Sequence, residues 1–444
     1  MQATFHGWSA VLCSFAFLSS AMADPTLDLL LAQALEQNPG LQALTHRLQR
    51  ANALQREARA SYYPQFGATA NYVRTDNPPQ AFMLQLNQRE LDMRDPAFDP
   101  NAPDDTANAQ LALNLQYQLY DAARSPRQQA ARLQQNLSYE NQAAARNALI
   151  HAVTQGYYQV LQAQAFATVQ TAAQASFAES LRIAEERYAS GAAVRTDVLN
   201  LEVQLAQANE NLIRANNGVQ LAIAALNATI GSDTICANGL QVPDTTVLAP
   251  EQQPQDERQR PERVAANLQR DLAAQHVRMA RAQHWPTLYA FGSMHWDTER
   301  FDDTSESYIA GIAMQWNGFD GGRTSARIDA ARAAQDAADA QIQETILNLE
   351  LEKKHANLQL HEAWERIQVT ERAAESAEEA LRITRALYQE GAVDVATLLV
   401  AEVARTETRM RATAARYDYL IAQSNVKRAA GRFAHTPQPN ETNR

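Results

Sequence analysis

The sequence predicts a mainly α-helical protein that also carries membrane β-structure, built as two copies of one long unit. The stretch 181–231 returns at 381–431, with the same leucine, arginine and isoleucine at its start and the same Tyr-x-x-Gly-Ala that follows. A second pair of matching stretches lies upstream, at 39–64 and 261–286. A repeat of this size sets the architecture before any local pattern is considered.

Each half predicts the same order of elements: helix, strand, loop, strand, very long helix, tight turn, helix. In the first half, Asn38-Pro39 is expected to interrupt the opening helix near its start. The stretch 122–190 has no internal proline after Pro126, and a helix of that length is on the order of 100 Å long. Gly191 is expected to end it. The next helix carries apolar or small residues at steps of three and four from Val194 to Leu226, which predicts coiled-coil packing.

Strand patterning appears twice in each half. Leu111, Leu113 and Leu115 alternate with Ala112 and Asn114, the period-two pattern of a strand with one apolar face. We predict strands at about 66–75, 109–120, 287–297 and 307–317. The stretch 77–108 between the first two is proline-punctuated and polar, and it is predicted to be a long loop outside the cell.

The predicted boundaries follow from these patterns. They are a signal peptide (1–23), a first repeat (24–231, with helices 122–190 and 192–230), a linker (232–259), a second repeat (260–433, with helices 320–390 and 392–432) and a polar tail (434–444). After removal of the signal, Cys236 is the single cysteine and cannot form an internal disulfide; it is expected to be an idle or buried thiol.

Composition excludes several classes of function. Apolar residues make up 45% of the chain, too many for wholesale disorder, and a net charge of −11 argues against nucleic-acid binding. No phosphate-binding loop, paired nucleophile and base, or metal-binding motif is present, so we expect no enzyme activity, no cofactor and no metal site.

Aromatic residues are expected to collect at the helix side of the four strands. Four strands cannot close a transmembrane barrel, so they form either an exposed sheet or one share of a barrel made by several subunits. An aromatic collar at one interface favours the barrel, whereas core aromatics of a soluble α+β domain are the alternative. The predicted collar consists of Tyr62, Tyr63, Tyr120, Trp285, Trp316 and Phe319.

These features resemble the TolC-like outer membrane efflux protein family over nearly the whole mature chain. The most specific parts are the duplicated Tyr-x-x-Gly turn before leucine-rich heptads and the strand-to-helix junction 318–323, of which 119–124 is a degraded copy. The resemblance implies a homotrimer with a twelve-stranded β-barrel, four strands per chain, in the outer membrane of a Gram-negative bacterium. This barrel would be continuous with a long periplasmic α-helical barrel. The implied partners are a periplasmic adaptor, an inner-membrane pump and outer membrane lipid.

The resemblance also places a periplasmic gate where the helix hairpins turn. It implies a hydrogen bond between Tyr388 and Asp197, although both could instead be solvated helix-end residues. Thr397 and Val400 stand where some family members carry carboxylates, and Asp394 lies closer to the turn, so a less acidic gate is expected. The expected adaptor-docking residues are Tyr188, Gly191, Ala192, Gly391 and Ala392, whose glycine-alanine pairs also fit a purely geometric role in the turn.

Three functions remain open from the sequence. The leading one is a passive exit duct for small toxic compounds in a tripartite efflux system, opened when an adaptor docks. The second is the outer membrane channel of type I protein secretion. The third, from another class, is a secreted coiled-coil structural protein without a pore.

Overall fold

The computed structural model describes residues 26–94, 99, 101–232, 240, 260–300 and 303–431. The predicted signal peptide, Cys236 and the polar tail lie outside these residues, as does nearly all of the predicted linker. The described elements, in chain order, are α1 (Leu27–Gln37), α2 (Pro39–Ala60), β1 (Gln65–Thr75), α3 (Pro78–Gln88), β2 (Thr106–Tyr120), α4 (Arg124–Ala189), α5 (Arg195–Ile230), α6 (Pro261–Ala282), β3 (Thr287–Thr298), β4 (Ser305–Gln315), α7 (Arg323–Gln389) and α8 (Val395–Ala429).

The predicted mainly helical fold with four strands is confirmed. α4 and α7 contain 66 and 67 residues, so each is on the order of 100 Å long. Among the described helices, none has a stretch long and apolar enough to cross a membrane.

The four strands form one antiparallel sheet in the order β1-β2-β3-β4. Gln65 of β1 pairs with Gln116 of β2, and Thr287 of β3 pairs with Gln315 of β4, so both halves enter and leave the sheet at the same end. β1 and β4 each have a neighbour on one side only. The sheet therefore has two open edges, one from each half of the repeat.

The long helices form a row. α4 packs along α5 on one side and α8 on the other, and α7 packs on the far side of α8. Nearer the sheet, α2 and α6 pack against α4, and α6 also packs against α7. α5 and α7 are thus the edges of the lower row. The core follows the row in two clusters, one around Tyr157 and Tyr419 and a second around Leu201 and Leu398 near the turns.

One predicted feature is wrong. The stretch 77–108 is not all loop, because Pro78–Gln88 is the helix α3. The prolines in this segment indicate a loop in the sequence, yet proline is favoured in the first turn of a helix, where its missing N–H costs nothing. The residues that follow are mostly strong helix formers.

The end of α5 lies against Pro39, and the end of α8 lies against Arg260, the residue before the repeated Pro261. Gly231 ends α5 at φ 84°, and a Cβ added there would lie 2.8 Å from Pro39 Cδ. Asn38 donates from Nδ2 to the carbonyl of Thr229 (2.8 Å) and accepts from Leu41 N, so one side chain caps α2 and holds the end of α5. This arrangement holds the break between α1 and α2, at Asn38-Pro39, against the end of α5.

In the second half of the chain, the equivalent junction is held by ion pairs. Arg260, which is buried, precedes Pro261 and donates to Glu262 (3.1 Å) and to Glu352 of α7 (2.9 Å). Glu352 also pairs with Arg428 near the end of α8 (3.3 Å). The charge of the buried Arg260 guanidinium is paired with two carboxylates, and one of these also pairs with Arg428. The guanidinium therefore joins α6, α7 and α8.

These two junctions allow a matched stability test. Gly231→Ala and Gly431→Ala both place an alanine at positive φ, which costs about 1–2 kcal/mol. Gly231→Ala should cost more, because its Cβ meets the rigid proline ring at 2.8 Å, whereas at Gly431 the nearest atom is Arg260 Cγ at 3.3 Å. Thermal unfolding followed by circular dichroism should show the larger drop in melting temperature for Gly231→Ala; equal drops would contradict the packing described.

Candidate functional site

The two hairpin turns share one backbone geometry. Gly191 and Gly391 have φ of 78° and 80°, values that favour glycine. In the first turn Ala192 N donates to Arg187 O, and in the second Ala392 N donates to Leu387 O, both at 2.8 Å. The Tyr-x-x-Gly-Ala repeat therefore encodes one helix-ending motif twice.

Arg187 joins the two turns, and the sequence analysis missed it. Its guanidinium lies over the ring of Tyr388 (4.7 Å to the ring centre) and donates to the carbonyl of Tyr388 and to the carbonyl of Ala192 (3.1 Å). A side chain on Gly391 would meet this guanidinium at 3.1 Å, so the glycine leaves room for it. The repeat equivalent of Arg187 is Leu387, and the repeat therefore gives no signal for this contact.

Tyr388 is 1% exposed, and its hydroxyl has no hydrogen-bond partner among the described residues. The hydrogen bond to Asp197 that the family resemblance implies is not made in this conformation. Burial raises the pKa of Tyr388, and the nearby Asp197 carboxylate raises it further, while Arg187 lowers it. Arg187 instead holds Tyr388 through the ring face and the backbone.

The other predicted gate residues lie at the start of α8. Asp394 caps the helix by accepting from Thr397 N (2.9 Å) and Thr397 Oγ1 (2.6 Å). The hydrogen bond from the Thr397 hydroxyl lowers the pKa of Asp394 most, and the hydrogen bond from the Thr397 backbone N–H lowers it further. Val400 is exposed. Tyr188, Ala192 and Ala392 are exposed around the turns.

A buried carboxylate connects the two hairpins farther from the turns. Glu402 of α8 is fully buried and accepts from Arg385 of α7 (2.6 Å). Its two oxygens also accept from Ser176 (2.7 Å) and Ser180 (2.8 Å) of α4. One carboxylate thus ties three helices together, with its charge paired and its acceptor sites filled. The repeat equivalent, Glu202, is exposed on the edge helix α5.

The sheet has one apolar and one polar face. Phe66, Leu115 and Gly292 lie in register across β1, β2 and β3, and Leu113, Met294 and Tyr308 do so across β2, β3 and β4. The apolar face carries large exposed side chains over all four strands: Phe66, Tyr72, Leu111, Leu113, Leu115, Met294, Tyr308, Ile312 and Met314.

The opposite face is mostly polar. Asn114 accepts from Ser293 Oγ (2.8 Å), and Ser293 shares a hydrogen bond with His295 Nε2 (2.8 Å). A sheet with one broad apolar surface and one polar surface is suited to lie between lipid and water.

The six predicted collar residues lie at the helix end of this sheet. Tyr62 and Tyr63 precede β1, Tyr120 ends β2, Trp285 precedes β3, and Trp316 and Phe319 follow β4. All six are exposed. Arg124 lies over the ring of Tyr62 (5.0 Å), and Trp316 Nε1 donates to the carbonyl of His284 (3.1 Å).

Within the described part of the chain, no three acidic, histidine or cysteine side chains are arranged to hold a metal ion.

Comparisons with known proteins agree with this geometry. A family model described as "Outer membrane efflux protein" matches residues 30–232 and 255–432. The chain is 22% identical to outer membrane protein TolC of Vibrio cholerae, over 93% of this chain and 92% of that protein. It is 24% identical to the cation efflux system protein CusC of Escherichia coli, over 92% and 86%.

A solved structure shows the same fold. The outer membrane protein VceC of Vibrio cholerae superposes with a TM-score of 0.78 at 22% identity, over 91% of this chain and 96% of that chain. At this identity, the likeness bears on the fold alone.

The Arg187 contact can be tested without assuming a function. In Arg187→Met, the amides of Gly391 and Ala392 should exchange hydrogen faster. Each hydrogen bond from a charged donor contributes about 1.5–3 kcal/mol, so losing even one speeds exchange about tenfold or more. Hydrogen–deuterium exchange with mass spectrometry measures this. The matched control is Arg182→Met, whose exposed partners Glu179 and Glu186 lie on the same helix; an equal effect in both variants would refute the bridge.

Proposed function

Because this chain belongs to the outer membrane efflux protein family and is an outer membrane efflux channel that extends into the periplasm, we propose that it is the passive, trimeric exit duct of a tripartite efflux system for small toxic compounds. A periplasmic adaptor and an inner-membrane pump complete the system. The observation that carries the proposal is the pair of complementary open edges on the sheet and on the helix row.

The open edges favour a closed ring of identical chains. β1 and β4 each leave a row of backbone groups unpaired at opposite sides of the sheet. In hydrocarbon each such group costs several kcal/mol, so pairing β4 of one chain with β1 of the next is strongly favoured. Three chains of four strands give a twelve-stranded barrel, an even number above the minimum of eight.

The helix row has matching edges. The edge helices carry large exposed apolar side chains, which are Leu199, Val203, Ile213 and Leu221 on α5 and Leu347, Leu351, Leu358, Val369, Ile383 and Leu387 on α7. Packing α7 of one chain against α5 of the next covers both stripes. The contact is head-to-tail, and such contacts form rings when the rotation closes.

The sheet is oriented by its faces. The apolar face meets lipid, and the polar face lines the duct. The aromatic residues at the helix end of the sheet mark the boundary between the outer membrane and the water of the periplasm. The four long helices of each chain then continue the duct into the periplasm.

The hairpin turns are the gate of this duct. Arg187 and the bonds from Ser176 and Ser180 to Glu402 hold the two hairpins of one chain together, which keeps the tips in the conformation described. An adaptor that binds the exposed Gly-Ala turns releases these contacts and shifts the tips to an open arrangement. Glycine and alanine allow a helical adaptor tip to approach the backbone closely.

The gate can be tested by removing its charged contacts and the buried phenol of Tyr388 in separate variants. In planar bilayers, Arg187→Met combined with Glu402→Gln should raise the open fraction of the purified channel several-fold, because the ring and carbonyl of Tyr388 lose the Arg187 guanidinium and Arg385 loses its carboxylate partner. Tyr388→Phe should leave conductance nearly unchanged, since the hydroxyl has no partner to lose. Glu407→Gln, which breaks an exposed pair with Arg411 on α8, is the control. A large rise with Tyr388→Phe alone would show that the phenol is the latch.

The partners can be identified by capture in cells. A photoreactive residue at position 392 should crosslink to a periplasmic adaptor that copurifies with a proton-driven inner-membrane pump, identified by mass spectrometry. The same residue at position 303, between β3 and β4 at the opposite end of the molecule, should capture neither. An ATP-driven pump with its adaptor would instead assign protein secretion, and no periplasmic partner at 392 would overturn the docked-duct proposal.

A further inference from the structure

The helix α3 lies on the polar face of the sheet, at the end remote from the long helices. Gln88 at its C-terminus donates from Nε2 to Asn108 Oδ1 (2.9 Å) and to the carbonyl of Ala107 (2.6 Å). Asn108 belongs to the polar face, because it and Gln110 both donate to Asp297 Oδ1 (2.7 and 3.0 Å), and Gln110 pairs in register with Asp297. Among the described residues, α3 covers the polar face of the sheet and leaves the apolar face open.

Burial along the strands shows the same asymmetry. Asn108 is 3% and Asp297 1% exposed, whereas Leu111 and Leu113 on the apolar face are 46% and 48% exposed. A helix with apolar side chains has therefore docked against amides and a carboxylate rather than on the apolar surface beside it. If the apolar face meets lipid, the position of α3 is inside the duct.

Several further contacts fix α3 to different strands. Gln85 donates to Thr106 Oγ1 (3.2 Å), Ser305 Oγ of β4 donates to the carbonyl of Gln88 (2.6 Å), and Arg89 donates to the carbonyl of Glu306 (3.0 Å). Arg89 ends the helix at φ 60°, a backbone conformation that a non-glycine residue adopts at some cost. The contacts to β2 and β4 hold the helix across the strands rather than along one of them.

The other side of α3 is apolar and open. Ala81, Gln85 and Gln88 form the stripe that faces the sheet, and Met83 and Leu86 on the opposite side are 56% and 42% exposed. In a ring of three chains, three such surfaces point toward the axis of the exit. Apolar side chains at a constriction restrict passage by size and by exclusion of water.

We propose that α3 is a lid on the lumenal face of the sheet that sets the size limit of the outer opening of the duct. This proposal rests on the proposed function, since it requires the polar face to line a pore. Gln88 is the anchor, because it bonds to both the backbone and the side-chain network of β2 while Ser305 holds its carbonyl.

The test measures access from outside the cell, so that the periplasmic gate does not affect the result. In a Cys236→Ser background, Gln116→Cys places a thiol on the exposed polar face beyond the lid. Intact cells are treated with a small sulfonated maleimide or with a maleimide on a large poly(ethylene glycol) chain. The small reagent should label the thiol in all lid variants, and the large reagent should label it slowly.

Lid variants should change only the reaction of the large reagent. Gln88→Ala removes two buried hydrogen bonds and should speed large-reagent labelling about tenfold, because the lid equilibrium shifts toward opening. Replacing 78–88 by a short glycine-serine linker should speed it further. Asn87→Ala, an exposed amide one position away, should leave it unchanged. Trimer bands on a gel confirm assembly of each variant.

The outcomes separate the two proposals. Equal labelling by both reagents in the unaltered lid would overturn the lid while leaving the duct intact. Large-reagent labelling that stays slow after removal of 78–88 would do the same. If the small reagent fails to reach position 116 yet labels Leu115→Cys on the apolar face, the polar face does not line a pore, and both proposals fail.

Discussion

The open edges of the sheet and of the helix row are the constraint on which the rest of the structure depends. A four-stranded sheet cannot satisfy the outer backbone groups of β1 and β4 by itself. The first half of the repeat supplies one edge of both layers and the second half supplies the other, with β1 and α5 opposite β4 and α7. Because the edges differ, the chain is suited to a head-to-tail contact with a copy of itself.

The repeat duplicates the helices and strands of the chain but not the polar contacts that join the two hairpins. Glu202 and Glu402 occupy equivalent positions, yet one is exposed and the other is fully buried. The difference follows from the order of helices: α8 lies inside the row against α4, whereas α5 lies at the edge. Arg187 and Leu387 differ for the same reason, since only the first reaches across to the other hairpin. Specific polar contacts have therefore accumulated between the hairpins of one chain.

Local sequence patterns predicted the helices and strands, but they did not predict contacts between residues far apart in the chain. Period-two leucines located β2, and the repeated glycines located both turns, because each signal is contained in about ten neighbouring residues. The sequence pattern does not reveal α3, because two prolines at its start indicate a loop as readily as the first turn of a helix. The bridge from Arg187 to Tyr388 spans the two halves of the chain, and nothing near either residue indicates its partner. The family resemblance suggested the phenol of Tyr388, whereas the structure uses its ring and carbonyl.

Each end of the molecule has a buried carboxylate that accepts from more than one side chain. Glu402 accepts from α4 and α7, and Asp297 accepts from two amides of β2, one of which is bonded to Gln88. Such a group is stable only when its set of donors is complete, because a buried acceptor without partners costs about 1–3 kcal/mol or more. Partial loosening is therefore unfavourable, and the element either stays fully docked or moves far enough for water to replace it. Discrete arrangements of this kind, rather than gradual bending, are what opening at either end of a duct requires.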